Sequence, residues 1–291
     1  PFIYAAMLEN VWRDTPQDTD SFISDYLLCR YGSSDKKAEK AWKILASTVY
    51  ENNVTNGGPE SIITGRPTFD PNPGGTTNTK LHYDRKKLAK VWDLMMDCLD
   101  KFGTSDGYRY DMVDITRQIM ADYASVMQQN CRKAYKSGNL QSFLTSARKF
   151  TEFLADFDYL LSSRKEFLLG RWLEQAKTMG NTPDEVALYE FNARDLLTLW
   201  GGKYCRLNDY ACRQWSGLVG GFYAQRWQRF FDAAAKSMQQ GAAFDNEKVI
   251  DDIREWEWNW VQGKESFPTV PQCDELQACR MIYDKYRNII F

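Results

Sequence analysis

The chain has 291 residues, of which 43% are apolar, 26% charged and 14% aromatic. That composition supplies a sizeable buried core and excludes a mostly disordered polypeptide. Its 37 Lys and Arg stand against 39 Asp and Glu for a formal charge of -2, so it carries no electrostatic footprint for a polyanion and no nucleic-acid partner is expected. The longest charge-free stretch, Gln214 to Gln225, falls well short of the roughly 20 apolar residues that a bilayer span takes, so no membrane span is expected. The seven cysteines are an odd number, and the nearest pairs, Cys205/Cys212 and Cys273/Cys279, lack a metal-knuckle spacing. The one histidine, His82, follows Thr76-Thr77-Asn78-Thr79, which predicts an exposed loop and leaves little for a His-based relay. Neither a metal nor a cofactor is expected.

The chain opens at Pro1 with Phe2-Ile3-Tyr4, Met7-Leu8 and Trp12, an apolar start without a basic leader that reads as a piece cut from something longer. Exposed patches of this kind mark contact surfaces, so a neighbouring domain is expected against it. Phe22, Ile23, Tyr26, Leu27 and Arg30, then Ala38, Ala41, Trp42, Leu45 and Val49, recur at helical spacing and predict two short helices separated by Gly32. From 52 to 80 Gly and Pro are dense, with Asn72-Pro73-Gly74-Gly75 near the end. This predicts one long irregular loop, either the rim of a cleft or a plain excursion. The segment contains one glycosylation triplet, Asn53-Val54-Thr55.

Leu88 to Phe102 predicts a helix ended by Gly103, and Ile115 to Ala134 a long helix ended by Ser137-Gly138. Its antiparallel partner carries Phe143, Phe150, Leu154, Phe157 and Leu161. Thr182-Pro183-Asp184-Glu185 has the logic of a capping box, so a helix starts at Pro183 and runs toward Trp200. Further helices are expected from near Asn208 to Met238, through Val249 to Trp260, and from Asp274 to Tyr286. Gly217, Gly220 and Gly221 within the first of these predict a close helix–helix approach, because each costs about 1 kcal/mol relative to Ala. No strand alternation or fixed-period repeat is present. The expected fold is all-α, a single domain over 1–291 with eight to ten helices in bundle-like or orthogonal packing.

No Gly-rich phosphate fingerprint, nucleophile elbow or metal-protease helix occurs. Carboxylates and aromatics remain, and glycoside hydrolysis needs only these: two carboxyl groups about 5–5.5 or 6.5–9.5 Å apart, with aromatic faces to hold the sugar. The 39 Asp and Glu do not single out a pair. Three polar-aromatic clusters interrupt the apolar helix faces: Phe167 to Ala176, Tyr189 to Gly201, and Asp209 to Gly217. In the second, Trp200 sits before Gly201-Gly202, at a helix mouth suited to ligand contact. The alternative is that Trp200 caps the core and that Arg194 and Asp209 form an internal ion pair.

These clusters, together with Arg109-Tyr110-Asp111-Met112-Val113-Asp114, Asn192-Ala193-Arg194, Leu197-Thr198-Leu199-Trp200-Gly201, Asp209-Tyr210-Ala211 and Phe222-Tyr223 with Arg226-Trp227, closely resemble the α-N-acetylglucosaminidases of glycoside hydrolase family 89 in residue type, order and spacing. The resemblance covers essentially the whole chain. It implies a three-part enzyme with a small β-rich domain, a catalytic barrel holding two glutamates, and a helical C-terminal domain, to which this chain corresponds. It also implies that neither glutamate lies in this chain and that the chain alone is inactive.

By the same resemblance the helical domain supplies one wall of a pocket for terminal α-linked N-acetylglucosamine on a glycan. Trp200 and Tyr210 are the expected sugar contacts. Asn192 and Arg194 contact the sugar or orient the loop, and Arg226 and Glu174 act as interdomain or core ion partners. The barrel of the same polypeptide is the expected partner, and the expected site is secreted, periplasmic or lysosomal. Cys212 departs from the family pattern, where an Asn often follows the Asp-Tyr-Ala triplet. Two other readings stand beside this one. One is a non-catalytic scaffold or carbohydrate-binding module with Trp256, Trp258 and Trp260 as platform; residues two apart leave only Trp256 and Trp260 on one face. The other is a helical glycosidase with its own carboxylate pair.

Overall fold

The computed structural model describes residues 1–51, 60–73 and 77–291. The Asn53-Val54-Thr55 triplet and the Gly74-Gly75 pair lie outside the described residues. Among the described residues the chain forms no strand, as helical periodicity predicts, and twelve α-helices rather than eight to ten, because the apolar start forms a helix of its own and the helix expected over 88–102 is broken in two. It divides into two compact units: Pro1–Gly58, Leu81–Ile119 and Glu275–Phe291 in one, Pro59–Lys80 and Met120–Asp274 in the other.

The first unit holds α1 (Phe2–Val11), α2 (Thr19–Tyr31), α3 (Lys36–Ala46), α4 (Lys86–Met96), α5 (Leu99–Phe102), the first half of α6 (Asp106–Lys136) and α12 (Glu275–Ile290). Local chemistry sets the helix ends. The Asp18 carboxylate accepts from the Ser21 N–H and that of Asp35 from Lys37 and Ala38, while Gly32 closes α2 at φ 85°. The helix expected over 88–102 breaks into α4 and α5 around Asp97-Cys98. Phe2 is buried against Phe22, Tyr26, Trp42 and Tyr50 at centroid distances of 5.1–5.3 Å. A polar chain then runs inward: Arg30 forks onto Asp111 at 2.6 and 2.8 Å, Tyr31 donates to the same carboxylate at 2.8 Å, and Trp42 donates to the Tyr31 hydroxyl. The terminal α12 is tied to α4 by Arg287, which forks onto Asp93 at 2.7 and 2.9 Å, and by the Tyr283 hydroxyl at 2.8 Å. His82 is half-buried, with Nε2 3.3 Å from the Val49 carbonyl, rather than exposed.

The second unit holds the rest of α6, then α7 (Leu140–Leu161), α8 (Leu169–Lys177), α9 (Pro183–Leu197), a π-helical turn (Val219–Tyr223), α10 (Ala224–Gln240) and α11 (Asn246–Val261). Gly138 at φ 70° and the Asn139 side chain, which caps α7 at Ser142, close the expected helical hairpin. Phe143, Phe150, Phe153, Phe157, Trp227, Phe230 and Phe231 form its core. The described part of the Gly/Pro-rich segment is tied to the second unit. Ile62 and Ile63 are buried, and Gln128 donates to the carbonyls of Thr68 and Asp70 at 2.6 and 2.9 Å. The capping box at α9 forms with a shift: Glu185 N–H donates to Thr182 Oγ1, but the Glu185 carboxylate accepts from Asn181 instead of from Thr182.

The glycines at 217–221 serve a buried acid and a ring. Asp158 of α7 accepts from the N–H groups of Gly217 (2.8 Å) and Gly220 (2.7 Å) and from the Ser216 hydroxyl (3.0 Å). Burial pushes this carboxyl up, and the backbone donors oppose it. A Cβ on Gly220 would lie 3.0 Å from the Asp158 carboxyl carbon, and one on Gly217 2.8 Å from the Phe267 ring. The expected close approach therefore exists, but Phe267, from the irregular segment after α11, shares it with α7.

Gly217 carries both a positive φ of 86° and the Phe267 contact, whereas Gly241 has φ 59° and open space around its would-be Cβ. Gly217→Ala is expected to lose about 1–3 kcal/mol in urea denaturation, and Gly241→Ala only about 1 kcal/mol; equal losses would show that the ring contact contributes nothing. A second expectation concerns acid. Arg287, and then Tyr283, hold the Asp93 carboxyl below the ordinary value of 3.8 against the opposing effect of burial. Its contribution to stability is fully present above about pH 4 and is lost as pH falls through the lower folded value. Because the pair is partly exposed the effect is modest. Asp93→Asn lowers stability at pH 7 and flattens that part of the acid limb; an unchanged limb would contradict this.

Candidate functional site

The backbone leaves helical geometry after Leu197, three residues before the expected end. Thr198 turns to φ -126° and ψ -78°, Trp200 takes φ 57° and Gly201 φ 147°. The last carbonyls of α9 find local donors: Thr198 Oγ1 donates to Arg194 at 2.8 Å and the Trp200 N–H to Asp195 at 2.8 Å. The expected helix start at Asn208 is also absent, and the chain stays irregular until Gly217. Asp209 takes φ 63° and Cys212 φ 46°. Left-handed backbone costs a non-glycine residue about 1 kcal/mol or more, and among the described residues the three that adopt it all lie in this one loop. The Cys212 thiol, at the position that departs from the family pattern, lies 2.9 Å from the Asp209 carbonyl, and burial pushes it up to about 11, so it is a neutral donor.

The loop brings Trp200 and Tyr210 together, with ring centroids 5.0 Å apart and planes at 60°. Trp200 is half-buried and Tyr210 is 58% exposed. Beneath them lies a closed ring of polar groups. Arg226, 1% exposed, donates from Nη1 to both Asp209 oxygens (3.0 and 3.1 Å) and to Glu257 (3.0 Å), and from Nη2 to the carbonyls of Thr64 (2.8 Å) and Gly65 (3.1 Å). Arg66 donates to Glu257 at 2.8 Å and to the Asn208 side-chain oxygen at 3.3 Å, and the Asn208 amide donates to Asp209 at 2.7 Å. Two carboxylates thus meet two guanidiniums. Burial pushes the Asp209 carboxyl up, Arg226 pulls it down, and the neighbouring Glu257 adds to the upward push.

Arg226 is thereby a core ion partner, one of the two roles expected of it. Glu174, in contrast, is half-exposed and pairs with Lys177 of its own helix at 2.6 Å. The expected Arg194–Asp209 pair does not form. Arg194 is fully buried, forks onto Glu190 one turn back at 3.0 and 3.2 Å, donates to the Glu265 carbonyl at 2.6 Å, and lies over the Trp260 ring at 5.0 Å. A side chain so enclosed has no face for a sugar; it ties α9 to the segment after α11. Asn192 is exposed on a different feature, an apolar groove of about 390 Å³ between α8 and α9 that Trp172, Met179 and Leu196 also line. Trp256 and Trp260 pack on Phe222, and Trp258 on Phe191, so the trio forms no platform. Glu257 and Arg66 escape the sequence reading. Glu257 had a signal, because it falls on the helical stripe of Ile253 and Trp260, the buried face of α11.

Chemically, this site offers two aromatic faces and an accessible phenol, suited to packing on the C–H face of a pyranose and to one hydrogen bond. Its carboxylates, Asp209 and Glu257, are buried and engaged by guanidiniums, so neither is placed to deliver a proton or attack a sugar carbon.

A family model described as the alpha-N-acetylglucosaminidase (NAGLU) C-terminal domain matches residues 22–285. Human alpha-N-acetylglucosaminidase is 32% identical over 288 residues, covering 98% of this chain and 38% of the human protein. A family 89 glycoside hydrolase from Clostridium perfringens, solved with 2-acetamido-1,2-dideoxynojirmycin, superposes with a TM-score of 0.89 at 30% identity, over 98% of this chain and 34% of that one. A second structure of the Clostridium perfringens enzyme, in complex with its substrate GlcNAc-alpha-1,4-galactose, also gives a TM-score of 0.89 at 30% identity, over 98% of this chain and 33% of that one. The chain therefore spans little more than a third of the length of these relatives. With the family model matching residues 22–285 and the all-helical fold superposing on family 89 enzymes, this chain belongs to the α-N-acetylglucosaminidase C-terminal domain family of glycoside hydrolase family 89.

Proposed function

We propose that this chain is the helical C-terminal part of an exo-acting, retaining α-N-acetylglucosaminidase, and that its Trp200–Tyr210 loop forms one wall of the pocket for a terminal α-linked N-acetylglucosamine. The observation that carries this reading is the pair of accessible rings on a left-handed loop whose neighbouring carboxylates are already committed. The loop contributes contact surface, and the bond-cleaving acids come from the barrel of the same polypeptide, one glutamate as nucleophile and one as acid/base. Likeness over nearly all of this chain but about a third of its relatives supports that division of labour.

Helix α1 supports a neighbouring domain from a different direction. Phe2 turns inward, but Ile3, Tyr4, Met7, Leu8, Val11 and Trp12 face outward, Trp12 at 87% exposure. So much apolar surface on one short helix is the mark of a contact face, and the barrel is the partner assigned to it. The setting that fits such an enzyme is a secretory, periplasmic or lysosomal compartment, where glycan ends are trimmed.

In the full-length enzyme, Trp200→Ala and Tyr210→Ala are each expected to lower kcat/KM on an aryl α-N-acetylglucosaminide about tenfold or more, equivalent to about 1.4 kcal/mol of lost transition-state binding. Thermal unfolding should move little, because Tyr210 is exposed and Trp200 only half-buried. Wild-type kinetics in both variants would remove these rings from the pocket. The isolated 291-residue chain is expected to release no aryl group from the same substrate, and measurable turnover would reassign the cleaving acids to this chain.

A further inference from the structure

We infer that Asp209, held by Arg226, is the positioning residue of the aromatic wall, and that the closed ring Arg226–Asp209–Asn208–Arg66–Glu257 exists to fix Trp200 and Tyr210 relative to the sugar. This inference rests on the sugar-wall reading above. None of the five side chains is placed to touch a ligand at the rings. Asp209, Arg226 and Glu257 are buried outright, Arg66 is mostly covered, and the Asn208 amide and its oxygen are both spent within the ring.

Asp209 reaches both rings through the backbone. Its N–H donates to the Thr198 carbonyl at 2.6 Å, two residues before Trp200, and its own carbonyl accepts from Cys212, closing the turn that carries Tyr210. Its carboxylate, on the far side, is gripped by Arg226 through both oxygens. One residue therefore pins two strands of the loop from below while sitting in a backbone conformation that it would not choose unaided. The choice of guanidinium follows from geometry. Arg226 serves five acceptor atoms at once, on two side chains and two successive carbonyls, and lies over Phe222 and Tyr223 at 4.6 and 5.1 Å. An ammonium group has three donors on one point and cannot span that set. Arg66 and Asn208 close the circuit on the other side, so Asp209 is held from two directions. Phe222 and Tyr223 belong to the π-helical turn, a device that frequently marks functional positions.

The test uses the full-length enzyme and the variant Asp209→Asn. Asn has the same shape and tolerates left-handed backbone, and Arg226 keeps Glu257 and two carbonyls, so the substitution weakens the grip by removing one buried negative charge and one acceptor oxygen while leaving the backbone bonds of residue 209 available. We expect kcat/KM on an aryl α-N-acetylglucosaminide to fall about tenfold at temperatures well below unfolding, and that loss to shrink to about twofold or less in a Trp200→Ala/Tyr210→Ala background, where no wall remains to position. Asn208→Ala, a milder break in the same ring, should show the same pattern at smaller size, and it carries the comparison if Asp209→Asn does not fold. A folded Asp209→Asn enzyme with wild-type kinetics, or a loss that persists undiminished in the double background, overturns the inference and leaves the ring a folding element. If the ring-to-Ala variants themselves keep wild-type kinetics, the sugar-wall reading fails instead. Positioning is then judged by the ¹⁹F resonance of 5-fluorotryptophan at Trp200, assigned with Trp200→Phe. A shift in Asp209→Asn supports the inference, and an unmoved resonance overturns it.

Discussion

Arg226 sits in the interior of the second unit with its charge removed from water, and the structure around it is arranged to answer that single demand. Two carboxylates, two carbonyls and two aromatic rings converge on the guanidinium from α11, from the Gly/Pro-rich segment near Thr64, from the loop after α9 and from the π-helical turn beside it. Breaking one partner out of such a group is far more costly than the net stability the group provides, since desolvation offsets much of the attraction. A buried ion network is thus a poor device for stability and a good one for geometry. Here the geometry it fixes is a loop in three left-handed steps, and at the outer edge of that loop stand Trp200 and Tyr210.

The same constraint explains which parts of the structure were legible in the sequence. Helix ends set by local chemistry were readable: Gly32 after α2, Gly138 between α6 and α7, and Thr182 with Glu185 at α9 all act through neighbours within a few residues. The family resemblance singles out Trp200 and Tyr210 as sugar contacts, but the 5.0 Å approach of their rings comes from the irregular loop between them. The helix expected from Asn208 was not refused by any local signal. Asp209 is held instead by Arg226, 17 residues on, and Arg226 in turn by the Thr64 carbonyl 162 residues away. Partner choice among buried charges has the same non-local origin. Arg194 lies one helical turn from Glu190 and pairs there, which leaves Asp209 to Arg226. Asn192, two residues from Arg194, points to a separate apolar groove for the ordinary reason that adjacent helical positions face different directions.

The proposed division into binding wall and cleaving acids gives the rest of the chain a coherent role. The first unit buries Phe2 and leaves the remaining apolar residues of α1 outward. The second commits Asp209, Arg226 and Glu257, all deeply buried, to the network under the loop. On the proposed reading, this domain shapes a pocket while the chemistry belongs to its neighbour. The closed ring beneath the loop argues for a preformed wall.

The most direct measurement is a high-resolution crystal structure of the full-length enzyme with an N-acetylglucosamine-derived inhibitor bound. The Trp200 and Tyr210 rings should lie in van der Waals contact with the sugar, their mutual geometry unchanged and Arg226 still gripping Asp209 beneath them. An inhibitor seated away from both rings, or a loop whose backbone has left the left-handed path with the Arg226–Asp209 pair open, would contradict the account.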